Sequence, residues 1–145
     1  MISVGRLLRA SSLPLGALLL AGTATSARAD PCEGRLPSQA GQQFTGTVRY
    51  VGDGDSLCVG TSNDPATWIE VRLADFDAPE LNAANGRFSK SLLQQVASGQ
   101  TVACEARRGR SGQVIVFDRV IAVCNVRGRS IGDLLRARNA PEGGN

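Results

Sequence analysis

Residues 44–60 read FTGTVRYVGDGDSLCVG, and the pattern is that of a β-hairpin. Phe44, Gly46, Val48 and Tyr50 alternate with Thr45, Thr47, Arg49 and Val51, the period of a strand. The GDGD turn follows, and SLCVG makes the returning strand. Downstream, SNDPAT (62–67) has turn chemistry. TWIEVRLADF (67–76) then reads as a third strand, with Ile69, Val71 and Leu73 on one face. Glu70, Arg72 and Ala74 must point the other way, because side chains alternate across a strand.

The period then changes. In RFSKSLLQQVAS (87–98), Phe88, Leu92, Leu93 and Val96 recur at helical spacing, and Gly99 stands where a helix stops. QTVACEA (100–106) predicts a fourth strand and QVIVFDRVIAVCNV (113–126) a long fifth one, joined by the basic loop RRGRSG (107–112). SIGDLLRAR (130–138) opens with Ser130 as N-cap, has Asp133 three residues on, and is followed by Asn139 as a left-handed stop. Three strands, a helix, two strands and a helix predict a mainly β fold. The expected architecture is an OB-type five-stranded Greek-key barrel with two helices packed on it.

Upstream, Arg6 and Arg9 precede the apolar run LPLGALLLAGTA (13–24), which is too short to span a bilayer as a helix. Ala27-Arg28-Ala29 is a small-x-small cleavage site, so residues 1–29 read as a secretory signal peptide cut after Ala29. The expected organisation is this signal, an irregular arm at 30–43, one domain at 44–139 and a flexible tail at 140–145. The product is expected to be secreted or periplasmic, with no membrane segment once the signal is removed. Three of the 16 basic residues leave with the signal, which balances 13 basic against 13 acidic residues. Net charge therefore does not argue for a polyanionic partner; only local placement of charge can.

The chain contains no histidine. That excludes Ser-His-Asp hydrolases, Cys-His proteases and His-dependent ribonuclease chemistry. Cys32, Cys58, Cys104 and Cys124 all lie in the mature part. An even number in an exported chain reads as two disulfides, and the spacings include no C-x-x-C to suggest zinc. Three pairings are open to four cysteines.

The acids concentrate at two turns. Asp53 and Asp55 sit in the hairpin turn, and Asp75, Asp77 and Glu80 follow the third strand. If the second and third strands pair, Asp55 and Asp77 come within reach of one ion. Two carboxylates with a backbone carbonyl and waters suit a hard cation such as Ca²⁺. Arg72 points to the same end, and Arg119 lies on the fifth strand. A guanidinium fork suits a phosphate because it offers two parallel hydrogen bonds and keeps its proton. A metal, two arginines and a spare carboxylate divide the work of phosphodiester hydrolysis between them.

DGDSL, RLADFDAPE and DRVIAVC together resemble the staphylococcal nuclease (thermonuclease) family, whose motifs read D-G-D-T/S, R-L-x-G-I/V-D-A/T-P-E and Y-G-R-x-x-A. The similarity runs from about Phe44 to Arg138. It implies an OB-type barrel that cleaves DNA and RNA with Ca²⁺, prefers single strands, leaves 3′-phosphate ends and acts as a monomer. Carried over by position, Asp55 and Asp77 would hold Ca²⁺ through side chains and Ala78 through its carbonyl, with Asp53 in support. Arg72 and Arg119 would clamp the phosphate, and Glu80 would be the general base or water-orienting group. The strands bearing Cys104 and Cys124 are neighbours in that family, which implies a Cys104–Cys124 bridge and leaves Cys32–Cys58 as the other. Two departures are visible: Phe117 and Asp118 replace the Tyr and Gly before the last arginine, and the chain stops short of the family's last helix. The alternative expectation is an OB-type module of weak or absent catalysis that binds nucleic acid or a protein partner.

Overall fold

A computed structural model describes residues 30–143; the expected signal peptide lies outside them. The strands are β1 (Gln43–Val51), β2 (Ser56–Gly60), β3 (Ile69–Leu73), β4 (Thr101–Ala106), β5 (Ile115–Val116), β6 (Arg119–Val126) and β7 (Arg129–Ser130). The helices are α1 (Gly86–Ala97) and α2 (Ile131–Arg136), and a short 3₁₀ turn occupies Pro65–Thr67. Antiparallel pairing runs β3-β2-β1-β4-β6, and β3 then meets β6 in parallel, Val71 opposite Val120 and Leu73 opposite Ala122. Five strands thus close on themselves with two helices against them, an OB-type barrel as the sequence predicts. Closure removes the free edges that an open sheet of this size would expose.

The long β1 serves two neighbours. It pairs with β4 over Gln43–Thr47 and with β2 over Thr47–Val51, and its register shifts between Val48 and Tyr50. A bulge of this kind bends a strand enough to turn a barrel corner. The core follows the alternation read from sequence: Val48, Leu57, Val59, Val71, Leu73, Val102, Val120 and Ala122 are all buried. Leu92, Leu93 and Val96 of α1 and Ile131 and Leu135 of α2 close over it. Ser130 caps α2 by accepting from the Asp133 N–H at 3.0 Å, and Asn139 is left-handed with φ 54° after the helix ends.

Four expectations are corrected. The fifth strand is not continuous: Phe117 and Asp118 both have positive φ, 50° and 58°, and reverse the chain so that Val116 faces Arg119. Two successive left-handed residues make the mirror-image turn that suits a two-residue hairpin. A further strand, β7, pairs with the end of β6 after a second reversal at Arg127 and Gly128. The third strand is five residues rather than ten, because Asp64 caps the 3₁₀ turn before it and the chain leaves the sheet after Leu73. Phe88 is not part of the helix's buried stripe; it is 52% exposed at the first turn of α1.

Both disulfides join the pairs that the resemblance implies. Cys104 and Cys124 lie directly opposite each other on β4 and β6, with Cα atoms 4.0 Å apart, and both are buried in the core. Cys32–Cys58 ties the arm to β2 across a Cα separation of 5.7 Å. The arm is held further by backbone bonds from Glu33 to Pro65 and from Gly34 to Trp68. Two bridges and no free cysteine suit an oxidising compartment. Among the described residues no helix is long and apolar enough to cross a membrane.

Candidate active site

The hairpin turn at 52–55 sits directly on the DAPE segment. The reason is Gly54: a Cβ there would stand 2.5 Å from the Ala78 Cβ and 2.7 Å from the Ser89 Cβ. Only a residue without a side chain lets the two backbones approach this closely. Asp55 is then held from several directions. Its N–H donates to Asp53 Oδ1 at 3.0 Å, its carbonyl accepts from Leu73 N–H at 2.8 Å, and its Oδ2 accepts from Ala78 N–H at 2.6 Å. The β2–β3 register sets Ser56 opposite Arg72, so the start of one strand meets the end of the other.

Arg72 links the two acidic turns. Its Nη1 donates to the carbonyls of Leu73 and Phe76, each at 2.8 Å. Nη2 lies 3.2 Å from Asp55 Oδ2 and also contacts Asp77 Oδ1. The two carboxylates therefore converge on one cationic nitrogen, as their spacing in sequence suggests. Burial pushes the Asp55 carboxyl up to about 7, although the Ala78 N–H and the Arg72 charge favour the anion. Burial would raise Asp53 as well, but bonds from the Asp55 N–H and Ser56, with the Arg119 charge, outweigh it and hold this carboxyl below its usual range.

These groups line one cleft of about 540 Å³ that also holds Glu80, Arg119, Arg110, Phe117, Arg136 and Glu142. Glu80 is exposed and takes part in none of the ion pairs among the described residues. Arg119 Nε is buried with no hydrogen-bond partner, an arrangement that native proteins rarely leave unmet. Asp118 is exposed and does not pair with Arg119.

Oxygen donors from Asp55 and Asp77 are of the kind a hard cation takes, and a cation would relieve the crowding of the two carboxylates. The donor set is short. Among the described residues no group of three or more acidic, His or Cys side chains forms a metal cage. Water and substrate oxygens would have to complete the coordination, which is ordinary for a site that opens onto a cleft. The contact Ala78 makes with Asp55 is through its N–H, whereas the resemblance implies a role for its carbonyl. Residue type and convergence therefore fit Ca²⁺, with two side-chain ligands rather than a full shell.

Arg136 in the cleft and Glu70 outside its lining escaped the sequence reading. Arg136 donates to the Asp75 carbonyl, stacks over the Phe76 ring at 5.6 Å and pairs with Glu142. Nothing local in SIGDLLRAR marks this arginine, since Asp75 lies 61 residues away. Arg110 belongs to the basic loop RRGR, whose charge was the available signal. Glu70, two residues before Arg72 on the same face, is pushed up to about 7, first by burial and then by the hydrogen bond and charge of Asp30. Arg119 pulls the other way and Asp118 adds to the rise.

Neither a scan against protein-family models nor a search of curated proteins finds a match to this chain.

Proposed function

We propose that this cleft hydrolyses phosphodiester bonds of DNA and RNA, with little sequence preference, single strands favoured, and 3′-phosphate products. The observation that carries this reading is the convergence of Asp55 and Asp77 on Arg72 in a cleft that Arg119 also lines and where Glu80 stands free. Those residue types supply what the reaction needs: a hard-cation site, two guanidinium groups and a carboxylate able to accept a proton.

Asp55 and Asp77 would hold Ca²⁺ through their side chains and Ala78 through its carbonyl, with Asp53 in support, and the ion would supply charge to stabilise the five-coordinate phosphorus. The guanidinium groups of Arg119 and Arg72, which both line the cleft, would donate to non-bridging phosphate oxygens. These bonds strengthen as negative charge builds on the phosphorus, which is the differential binding that accelerates a reaction. Glu80 accepts a proton from the attacking water. The new bond forms between water oxygen and phosphorus, the bond from phosphorus to the 5′ oxygen breaks, and solvent protonates the leaving alkoxide. Export to a secreted or periplasmic location, as a monomer, belongs to the same reading.

A second reading is favoured by the engagement of Arg72 Nη2 with both carboxylates: an OB-type module that binds nucleic acid, or a protein partner, without cleaving. One assay separates the two. Purified mature protein is incubated with single-stranded DNA in Ca²⁺ or in EGTA. Cleavage in Ca²⁺ alone is expected. Cleavage that ignores the chelator removes the metal from the reading, and folded protein that cleaves at no Ca²⁺ concentration leaves the binding module.

A further inference from the structure

The hairpin between β5 and β6 carries a large apolar side chain with no structural use. Phe117 is 86% exposed, more than any other large hydrophobic residue among those described. Its φ of 50° lies in the left-handed region, where a bulky residue is an outlier. Asp118 shares that conformation, so the turn is one that Asn-Gly or Asp-Gly would form without the strain. Burial contributes nothing here, and the turn would be more stable with another residue. Strain held without a packing return is a mark of a functional position.

Its surroundings say what it faces. Phe117 lines the cleft, with Arg110 and Arg119 on either side in sequence. From 107 to 119 the chain has four arginines, Arg107, Arg108, Arg110 and Arg119, against the single acid Asp118. A π-face beside arginines on one cleft complements a ligand that alternates anionic groups with flat rings. Single-stranded nucleic acid is such a ligand.

We propose that Phe117 is a stacking platform for the nucleobase adjoining the phosphate held by Arg119. This rests on the nuclease reading and adds to it the element that recognises the base. The two-residue turn is short and its flanks are paired, Val116 opposite Arg119 and Ile115 opposite Val120, so the backbone that bears the ring is anchored beside the cleft. Stacking is tolerant of base identity because every base has a π-face. The platform therefore improves hold on the strand without imposing a sequence.

The test uses full mature protein with Phe117→Asn and Phe117→Trp. Asn suits the left-handed turn, so Phe117→Asn is expected to keep or raise Tm, which separates loss of stacking from loss of fold. Affinity for fluorescein-labelled dT8, read by anisotropy in EGTA, should fall roughly tenfold in Phe117→Asn and be retained in Phe117→Trp. Cleavage of dT8 in Ca²⁺ should show the loss in KM with kcat little changed. An oligonucleotide with abasic residues should bind wild type and Phe117→Asn alike. Equal dT8 affinity in wild type and Phe117→Asn overturns the proposal. So does a Phe117→Asn loss that persists undiminished on the abasic strand. A Phe117→Asn change in oligomeric state without a change in dT8 affinity overturns it in favour of a second copy of the chain. Wild type that neither binds nor cleaves dT8 refutes the nuclease reading itself, a result distinct from all of these.

Discussion

Replacing Gly54 by Ala probes the contact on which the cleft is built. The added Cβ meets the Ala78 Cβ at 2.5 Å and the Ser89 Cβ at 2.7 Å, both closer than carbon atoms tolerate. Ala78 and Ser89 are buried, so neither can swing aside, and the turn itself must lift. Overpacking of this kind costs about 2 kcal/mol, within a range of roughly 1–3 kcal/mol. For a domain of this size that corresponds to a Tm lower by about 8 °C. The displacement also draws Asp55 from the Ala78 N–H, so Ca²⁺-dependent cleavage should drop along with stability. Thermal unfolding by circular dichroism in EGTA reads the first effect. Adding Ala78→Gly removes the nearer clash while leaving Ser89 in place. Alone, Ala78→Gly is expected to cost about 0.5–1 kcal/mol. The double variant should then be about 1 kcal/mol more stable than additivity allows. Wild-type Tm in Gly54→Ala, or full additivity in the pair, refutes the close approach as the reason for glycine.

Three further outcomes are expected. Asp55 rises from 3.8 and Glu70 from 4.5, each to about 7, so the folded chain binds protons more tightly than the unfolded one between about pH 4 and 7. Their contribution is present in full below that window and lost as pH rises through it, so in EGTA Tm should fall from pH 5 to pH 8, less steeply in Asp55→Asn or Glu70→Gln; an unchanged slope in both variants contradicts the assignment. Glu80→Gln should slow turnover while leaving Ca²⁺ affinity, measured by calorimetry, largely intact; loss of binding would make Glu80 a metal ligand instead. Removing both cysteines of the Cys32–Cys58 bridge, which closes a separation of 26 residues, should cost about 3–4 kcal/mol by denaturant unfolding, and a loss under 1 kcal/mol would mean the arm is held mainly by its backbone bonds.

What could be read from sequence follows from how local each signal is. The β1–β2 hairpin was legible because alternation and an Asp-Gly turn act within a few residues. The Phe117–Asp118 reversal was hidden because Phe is not a usual left-handed turn former and no glycine follows Asp118, while apolar runs on both sides read as one strand. Phe88 kept helical spacing yet faces out, since spacing defines a stripe but not where the barrel beneath it ends. In the cleft, Asp55, Arg72 and Asp77 could be grouped because one strand pairing joins their turns. The grouping of Arg136 with Asp75, and of Glu70 with Asp30, depends on segments brought together only by the finished fold.

The parallel contact between β3 and β6 closes the barrel, and it also brings Arg72 and Arg119 into one neighbourhood. Val71 pairs with Val120, one residue before the first arginine and one after the second. These strands are far apart in the chain, so this pairing is non-local and forms only once the intervening chain has closed back on the first hairpin. A nascent or partly folded chain can hold the first hairpin and its acids without the second guanidinium beside them. Any activity that needs both arginines would then be withheld until β6 docks on β3, so closure of the barrel would itself act as the release.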